Sequence, residues 1–199
     1  MERNSRYDYL REKIRARVDW ISESDLSDII GCLTEHTLSA RQFIIQAGER
    51  VRHLHYVVSG LVRAFYVDDA GNEITVNFME EGRLFTDYLS TTRSLPSRFY
   101  FQAIEPVGYL SLPIEVLDRL CDRSHAVERF YRLALGEIFT DWERRTESFL
   151  FLKAEDRYRR FLSEKSNIAS RVSVTDLSSY LGIERQSLTR IRKKIFAGK

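Results

Sequence analysis

The chain has 199 residues, 43% hydrophobic and 12% aromatic, which suits a packed core and excludes a disordered chain. No apolar run approaches the roughly 18 residues of a membrane span, and the charged residues 1–17 lack the apolar segment of a secretory signal. Cys32 and Cys121, the only cysteines, are too few for a disulfide framework or a cysteine-built metal cluster; both are expected as buried thiols in a cytoplasmic protein. The net charge of +2 hides an asymmetry. Residues 153–199 hold 12 Lys/Arg against 5 Asp/Glu, whereas the remainder holds 19 against 24. A basic end on an acidic body is the electrostatic footprint of a nucleic-acid-binding module joined to something else.

Taken in order, residues 7–21 read as a helix with Leu10, Ile14, Val18 and Ile21 on one side. A second short helix carries Leu26, Ile29, Ile30 and Leu33 and opens at Ser24. From Gln42 the texture changes to short runs rich in β-branched and aromatic residues: 43–45, 54–58, 61–67, 74–79, 99–103 and 108–112. Gly48, Gly60, Gly71 and Gly82 punctuate them, and residues 68–72 (Asp-Asp-Ala-Gly-Asn) predict a hairpin turn. Many short strands with such punctuation predict a β-roll or jelly-roll barrel.

Pro113 suits the first position of a helix over 114–121. Residues 125–152 then contain no proline and one glycine, predicting a long helix. Tyr131, Leu135, Ile138, Trp142, Phe149 and Leu152 follow alternating four- and three-residue steps, broken at Arg145, and approximate a heptad seam that packs on the β-roll or on a second copy. A helix over 154–166 carries Tyr158, Phe161 and Leu162.

Residues 173–194 read SVTDLSSYLGIERQSLTRIRKK. Ser173 and Asp176 suit a capping box, Leu177 and Leu181 keep helical spacing, and Gly182 supplies a sharp turn. Leu188, Ile191 and Ile195 then make one apolar helix face, while Arg185, Gln186, Thr189, Arg190 and Lys193 occupy the other beside Ser187. Two short helices about a glycine turn, the second basic on its free face, predict a DNA-binding helix-turn-helix. Arg can bond guanine bidentately and Gln adenine, whereas Lys193 and Lys194 suit phosphates.

The run GIERQSLTRIRKK resembles the recognition segment of the cyclic AMP receptor protein/FNR (Crp/Fnr) superfamily of transcription regulators, and the upstream pattern resembles that family's cyclic-nucleotide-type β-roll and connecting helix. The resemblance implies an α+β protein in three parts: a sensor β-roll with flanking helices over 1–124, a dimerisation helix over 125–152, and a helix-turn-helix over 153–199. It implies a homodimer through Tyr131, Leu135, Ile138, Trp142 and Phe149, reading double-stranded DNA through Arg185, Gln186, Ser187, Thr189, Arg190 and Lys193. RNA polymerase and a small-molecule effector are further implied partners. The chain departs from the family in three places. Gln186 stands where Glu is usual, so the DNA sequence read should differ. Only residues 196–199 follow Ile195, too few for a β-hairpin wing. Matching the strands puts Thr86-Asp87 and Ser97-Arg98 where the family has Gly-Glu and Arg-Ser. Asp87, Ser97 and Arg98 are thus the candidate pocket residues; a serine hydroxyl cannot replace the phosphate-clamping Arg, so cyclic AMP is not expected as a ligand.

The pair His53 and His55 raises a second possibility, a cupin-like metal enzyme or small-molecule-binding barrel with a helical tail. Gly48 precedes the pair, but residues 56–59 contain no carboxylate, and His36 and His125 are expected in helices. No metal site, cofactor or catalytic constellation is therefore predicted.

Overall fold

The computed structural model describes residues 3–197, so the last two residues of the tail expected after Ile195 lie outside it. Eight strands run β1 (Thr34–Leu38), β2 (Phe43–Ile45), β3 (His53–Ser59), β4 (Val62–Val67), β5 (Glu73–Met79), β6 (Leu84–Phe85), β7 (Tyr100–Ala103) and β8 (Val107–Pro113). They form two four-stranded antiparallel sheets, ordered β1-β8-β3-β6 and β2-β7-β4-β5. The predicted hairpin turn joins β4 to β5. Asp68 Oδ1 accepts from the amides of Ala70 (2.9 Å) and Asn72 (2.8 Å), and Gly71 takes a positive φ of 84°. β1 corrects the expectation that His36 is helical: the polar run Thr-Glu-His-Thr-Leu carries no strand alternation, and its pairing with β8 places it.

β3 shows why the middle of the roll reads as a continuous apolar run. Leu54, Tyr56 and Val58 point to one core and Val57 to another, so the strand is covered on both faces. The second core lies within the roll, where Val57, Val62, Phe85, Phe101 and Tyr109 meet. The first lies outside it, beneath the helices α1 (Arg3–Arg15), α2 (Glu23–Gly31), α4 (Ile114–Arg123) and the start of α5 (His125–Phe151). The short α3 (Tyr88–Arg93) lies between β6 and β7 in the chain.

The helix predicted over 7–21 stops at Arg15. Val18 and Ile21 are buried as expected, but in the turn that leads to α2. Arg17 folds back so that its Nη1 donates to the Lys13 carbonyl (2.9 Å), satisfying an open helix end. α2 opens at Ser22, not Ser24: Ser22 and Asp25 form a complete capping box. Cys32, expected to be buried, is exposed at the end of α2, whereas Cys121 is half-buried and its thiol is pushed up to about 11 by burial.

His55 is a buried polar residue of the roll wall. It stacks on Phe85 (5.0 Å) and meets Tyr109 edge-on (5.5 Å), and its Nδ1 has no hydrogen-bond partner. Burial first, then the nearby His53 and His36, draw its pKa from 6.5 down to about 3. Between those values the unfolded chain binds a proton that the folded chain refuses, so this group removes stability as pH falls through that window. His55→Phe should therefore flatten the decline of the urea midpoint between about pH 6.5 and pH 4. An unchanged slope in the variant would show that the imidazole does not drive it.

Candidate nucleic-acid interface and sensor cavity

Four helices complete the chain: α6 (Ala154–Glu164), α7 (Ser166–Ala169), α8 (Val174–Leu181) and α9 (Arg185–Ala197). Leu177, Leu181 and Leu188 are fully buried with Tyr158, Phe161 and Ile168, and Ile191 and Ile195 pack against them. The turn after α8 is left-handed at Gly182 (φ 62°), and the Ile183 amide donates to the Ser178 carbonyl at 3.0 Å. α9 leaves Arg185, Gln186, Thr189, Arg190 and Lys193 exposed on one side. Ser187 is half-buried and accepts from Arg190 Nη2 at 3.1 Å. Lys194, expected on phosphates, instead pairs with Glu155 of α6 at 2.6 Å.

The capping box expected at Ser173 is only half made. Ser173 Oγ accepts from the Asp176 amide (3.0 Å) and donates to Asp176 Oδ2 (2.7 Å), but the carboxylate does not return to the Ser173 amide. Its other oxygen pairs with Arg63 Nη1 at 3.0 Å. Arg63 projects from β4, is 4% exposed, and also donates to Glu73 (2.6 Å) and to Thr75 Oγ1 (2.8 Å). Beside it Ser179 Oγ of α8 accepts from the Thr75 amide (2.9 Å) and donates to the Glu73 carbonyl (2.8 Å). Arg145 of α5 donates to the carbonyls of Tyr180 (2.9 Å) and Thr75 (3.1 Å), with its guanidinium over the Tyr180 ring at 4.2 Å. Arg171 pairs with Glu81 and Glu105 of the roll. Leu61 and Phe78 of the roll share the core of the helical unit, so the two halves are joined by both charge and apolar contact.

The predicted seam of α5 is divided among several neighbours. Tyr131 packs on the core beneath the N-terminal helices. Leu135, Ile138 and Trp142 face the chain's own β-roll across a cavity of about 520 Å³. Phe149 lies against the helix-turn-helix, under the guanidinium groups of Arg145 and Arg157 (4.9 and 5.0 Å). Exposed apolar surface on α5 belongs to Phe139, which also borders this cavity and is 64% exposed, to Trp142, 41% exposed, and to Leu150, 70% exposed.

Of the candidate pocket residues, Asp87 lines this cavity. Ser97 does not: it is buried in a tight turn, its Oγ accepting from the Phe99 amide (3.0 Å) and donating to the Phe99 carbonyl (3.1 Å). Arg98 is exposed outside the cavity lining. The expectation that Ser97 and Arg98 belong to the pocket is thereby corrected, because the turn after α3 directs them elsewhere. Sequence reasoning missed Arg83 and Asp141, which pair at the cavity between the roll and α5. His53 and His55 share β3, but His53 is exposed and His55 is enclosed by aromatic rings.

Fold and site together define a two-part architecture, a cyclic-nucleotide-binding-type β-roll carrying a helix-turn-helix on a long helix. Residues 35–124 match the cyclic nucleotide-binding domain family. The anaerobic regulatory protein of Haemophilus influenzae is 25% identical over 75% of this chain and 62% of its own length, so the aligned stretch spans less than two thirds of that relative. The fumarate and nitrate reduction regulatory protein of Vibrio cholerae is 26% identical over 86% of this chain and 72% of its own. The structure of the c-di-GMP-responsive global regulator CLP of Xanthomonas campestris superposes with a TM-score of 0.73 at 18% identity, covering 89% of this chain and 93% of that one. The chain carries a cyclic nucleotide-binding domain and is similar to transcription regulators of the Crp/Fnr family. These relatives favour that reading over a cupin-like enzyme.

The turn of the helix-turn-helix is tied to α5 by a single close approach. A Cβ on Gly182 would lie 2.5 Å from Phe149 Cε1. Gly182→Ala should cost about 1–2 kcal/mol from its left-handed backbone alone, with the clash in addition. Phe149→Leu in the same chain should recover the clash component but leave the backbone cost, as read from thermal melting of the four chains. Strictly additive effects would mean that the ring and the turn are not in contact.

Proposed function

We propose that the protein is a cytoplasmic homodimer that reads an inverted-repeat DNA site with α9. The observation that carries this reading is the free face of α9: Arg185, Gln186, Thr189, Arg190 and Lys193 are all exposed while Leu188 of the same helix is fully buried. Major-groove readers lead with the N-terminal part of such a helix, where Arg185, Gln186 and Arg190 stand and Ser187 adds a hydroxyl. The basic 153–199 segment supplies the sequence-independent attraction to phosphates. RNA polymerase is the further partner this role implies. The protein's task is recognition, with no chemical step.

Two outcomes test the reading. Arg190→Ala should cost about 1–3 kcal/mol at the specific site and relax preference at one base pair per half-site. Lys193→Ala should weaken specific and random DNA alike and lower the slope of log affinity against log salt by about one. A binding matrix of variants against sequences at several salt concentrations separates the two. Equal loss for all sequences in Arg190→Ala would assign that side chain to phosphate.

The second copy is proposed to meet this one along α5, whose exposed Phe139, Trp142 and Leu150 leave apolar surface uncovered. Phe139→Glu and Leu150→Glu should each shift the protein toward monomer in sedimentation at micromolar concentration while leaving the melting of the monomer intact. Dimers that persist in the double variant would place the contact on another surface.

A further inference from the structure

The cavity between the β-roll and α5 has a composition that selects among ligands. Its walls are largely apolar and aromatic, with Phe85 and Phe101 from the roll facing Leu135, Ile138 and Trp142 from α5. Its volume of about 520 Å³ lies in the range of small-molecule sites. Three charged side chains border it. Arg83 is already paired with Asp141, and Asp87 is the second carboxylate. Two carboxylates against one guanidinium leave no free cation to receive an anion. Asp87 is 6% exposed, and one of its oxygens accepts from the Ser90 amide (3.1 Å) at the start of α3. Its other oxygen takes no partner among the described residues, so an acceptor is left beside a largely apolar space.

We infer that this cavity binds an uncharged, largely apolar molecule with a hydrogen-bond-donating head, a phenol or an alcohol, and disfavours anions. The inference rests on the reading of the β-roll as a sensor. The apolar body fills the space between Phe101 and Ile138, and the hydroxyl donates to the Asp87 oxygen that has no protein partner among the described residues. A carboxylate or phosphate of the same size meets two like charges and one occupied guanidinium.

The experiment uses the full chain with three probes built on one ring system, naphthalene, 2-naphthol and 2-naphthoate, at neutral pH. Calorimetry should rank 2-naphthol above naphthalene. It should place 2-naphthoate weaker than 2-naphthol by on the order of tenfold or more, the expected effect of like charges a few ångströms apart at an effective dielectric of about 20. Asp87→Asn keeps a residue that caps α3 well and removes one carboxylate, so the gap between 2-naphthol and 2-naphthoate should narrow. Ile138→Trp, at a half-buried position, should abolish binding of all three by filling the space. Cyclic AMP at millimolar concentration should not raise the melting temperature, because any binder present well above its Kd must. The proposal is overturned if 2-naphthoate binds as tightly as 2-naphthol, if none of the three binds, if Ile138→Trp binds unchanged, or if cyclic AMP stabilises the fold. Binding of 2-naphthol that leaves DNA affinity untouched supports the cavity assignment and sinks only the sensor reading.

Discussion

The guanidinium of Arg63 is the point through which the two halves of the molecule are held in register. It projects from near the start of β4, where an apolar side chain would ordinarily serve, and its Nη1 reaches the carboxylate of the helix-turn-helix that was expected to close its own cap. A buried charge is tolerated only when its donors are met, and Thr75, Glu73 and Asp176 take those of Nε and Nη1. The arrangement fixes where the N-terminus of α8 sits. Because α8 and α9 share one core about Gly182, it also fixes the direction in which the exposed basic face of α9 points.

α5 serves three neighbours at once, which explains why its apolar pattern is not a clean coiled-coil seam. Its N-terminal third is core for the flanking helices, its middle closes the cavity beside the roll, and its C-terminal third supports the helix-turn-helix through Arg145 and Phe149. Arg157 completes the join at the far end, donating to the carbonyls of Leu152 (2.8 Å) and Leu181 (3.0 Å), so the break between α5 and α6 is held by the same side chain that holds the end of α8. A molecule seated between the roll and the middle of α5 therefore touches the element on which the reading unit rests.

What could be read from the sequence was what is decided locally. The glycine-punctuated strands, the 68–72 turn and the spacing of Leu177, Leu181, Gly182 and Leu188 each depend on a few adjacent residues, and each stands in the structure as expected. What failed were inferences from burial to backbone, and what stayed open was the partner behind a pattern. Val18 and Ile21 continue the periodicity of α1 because they are buried with it, not because the helix continues. Leu135, Ile138 and Trp142 are apolar because they face something, and periodicity does not say whether that is a twin or the chain's own roll. The interruption at Arg145 and the lone Arg63 in an apolar strand were visible in the sequence. Their meaning depends on α8, more than thirty residues away along the chain.

The bond between Ser179 and β5 has a further consequence. β5 is the outermost strand of its sheet, and an outer strand offers unpaired amides and carbonyls to any other extended chain. Here the Thr75 amide and the Glu73 carbonyl are taken by the Ser179 hydroxyl, and the Thr75 carbonyl by Arg145. The helix-turn-helix is thus also the shield of the sheet's open border. A state in which it swung away would bare a ready template for strand addition, so self-association through β5 is the hazard that accompanies any large separation of the two halves.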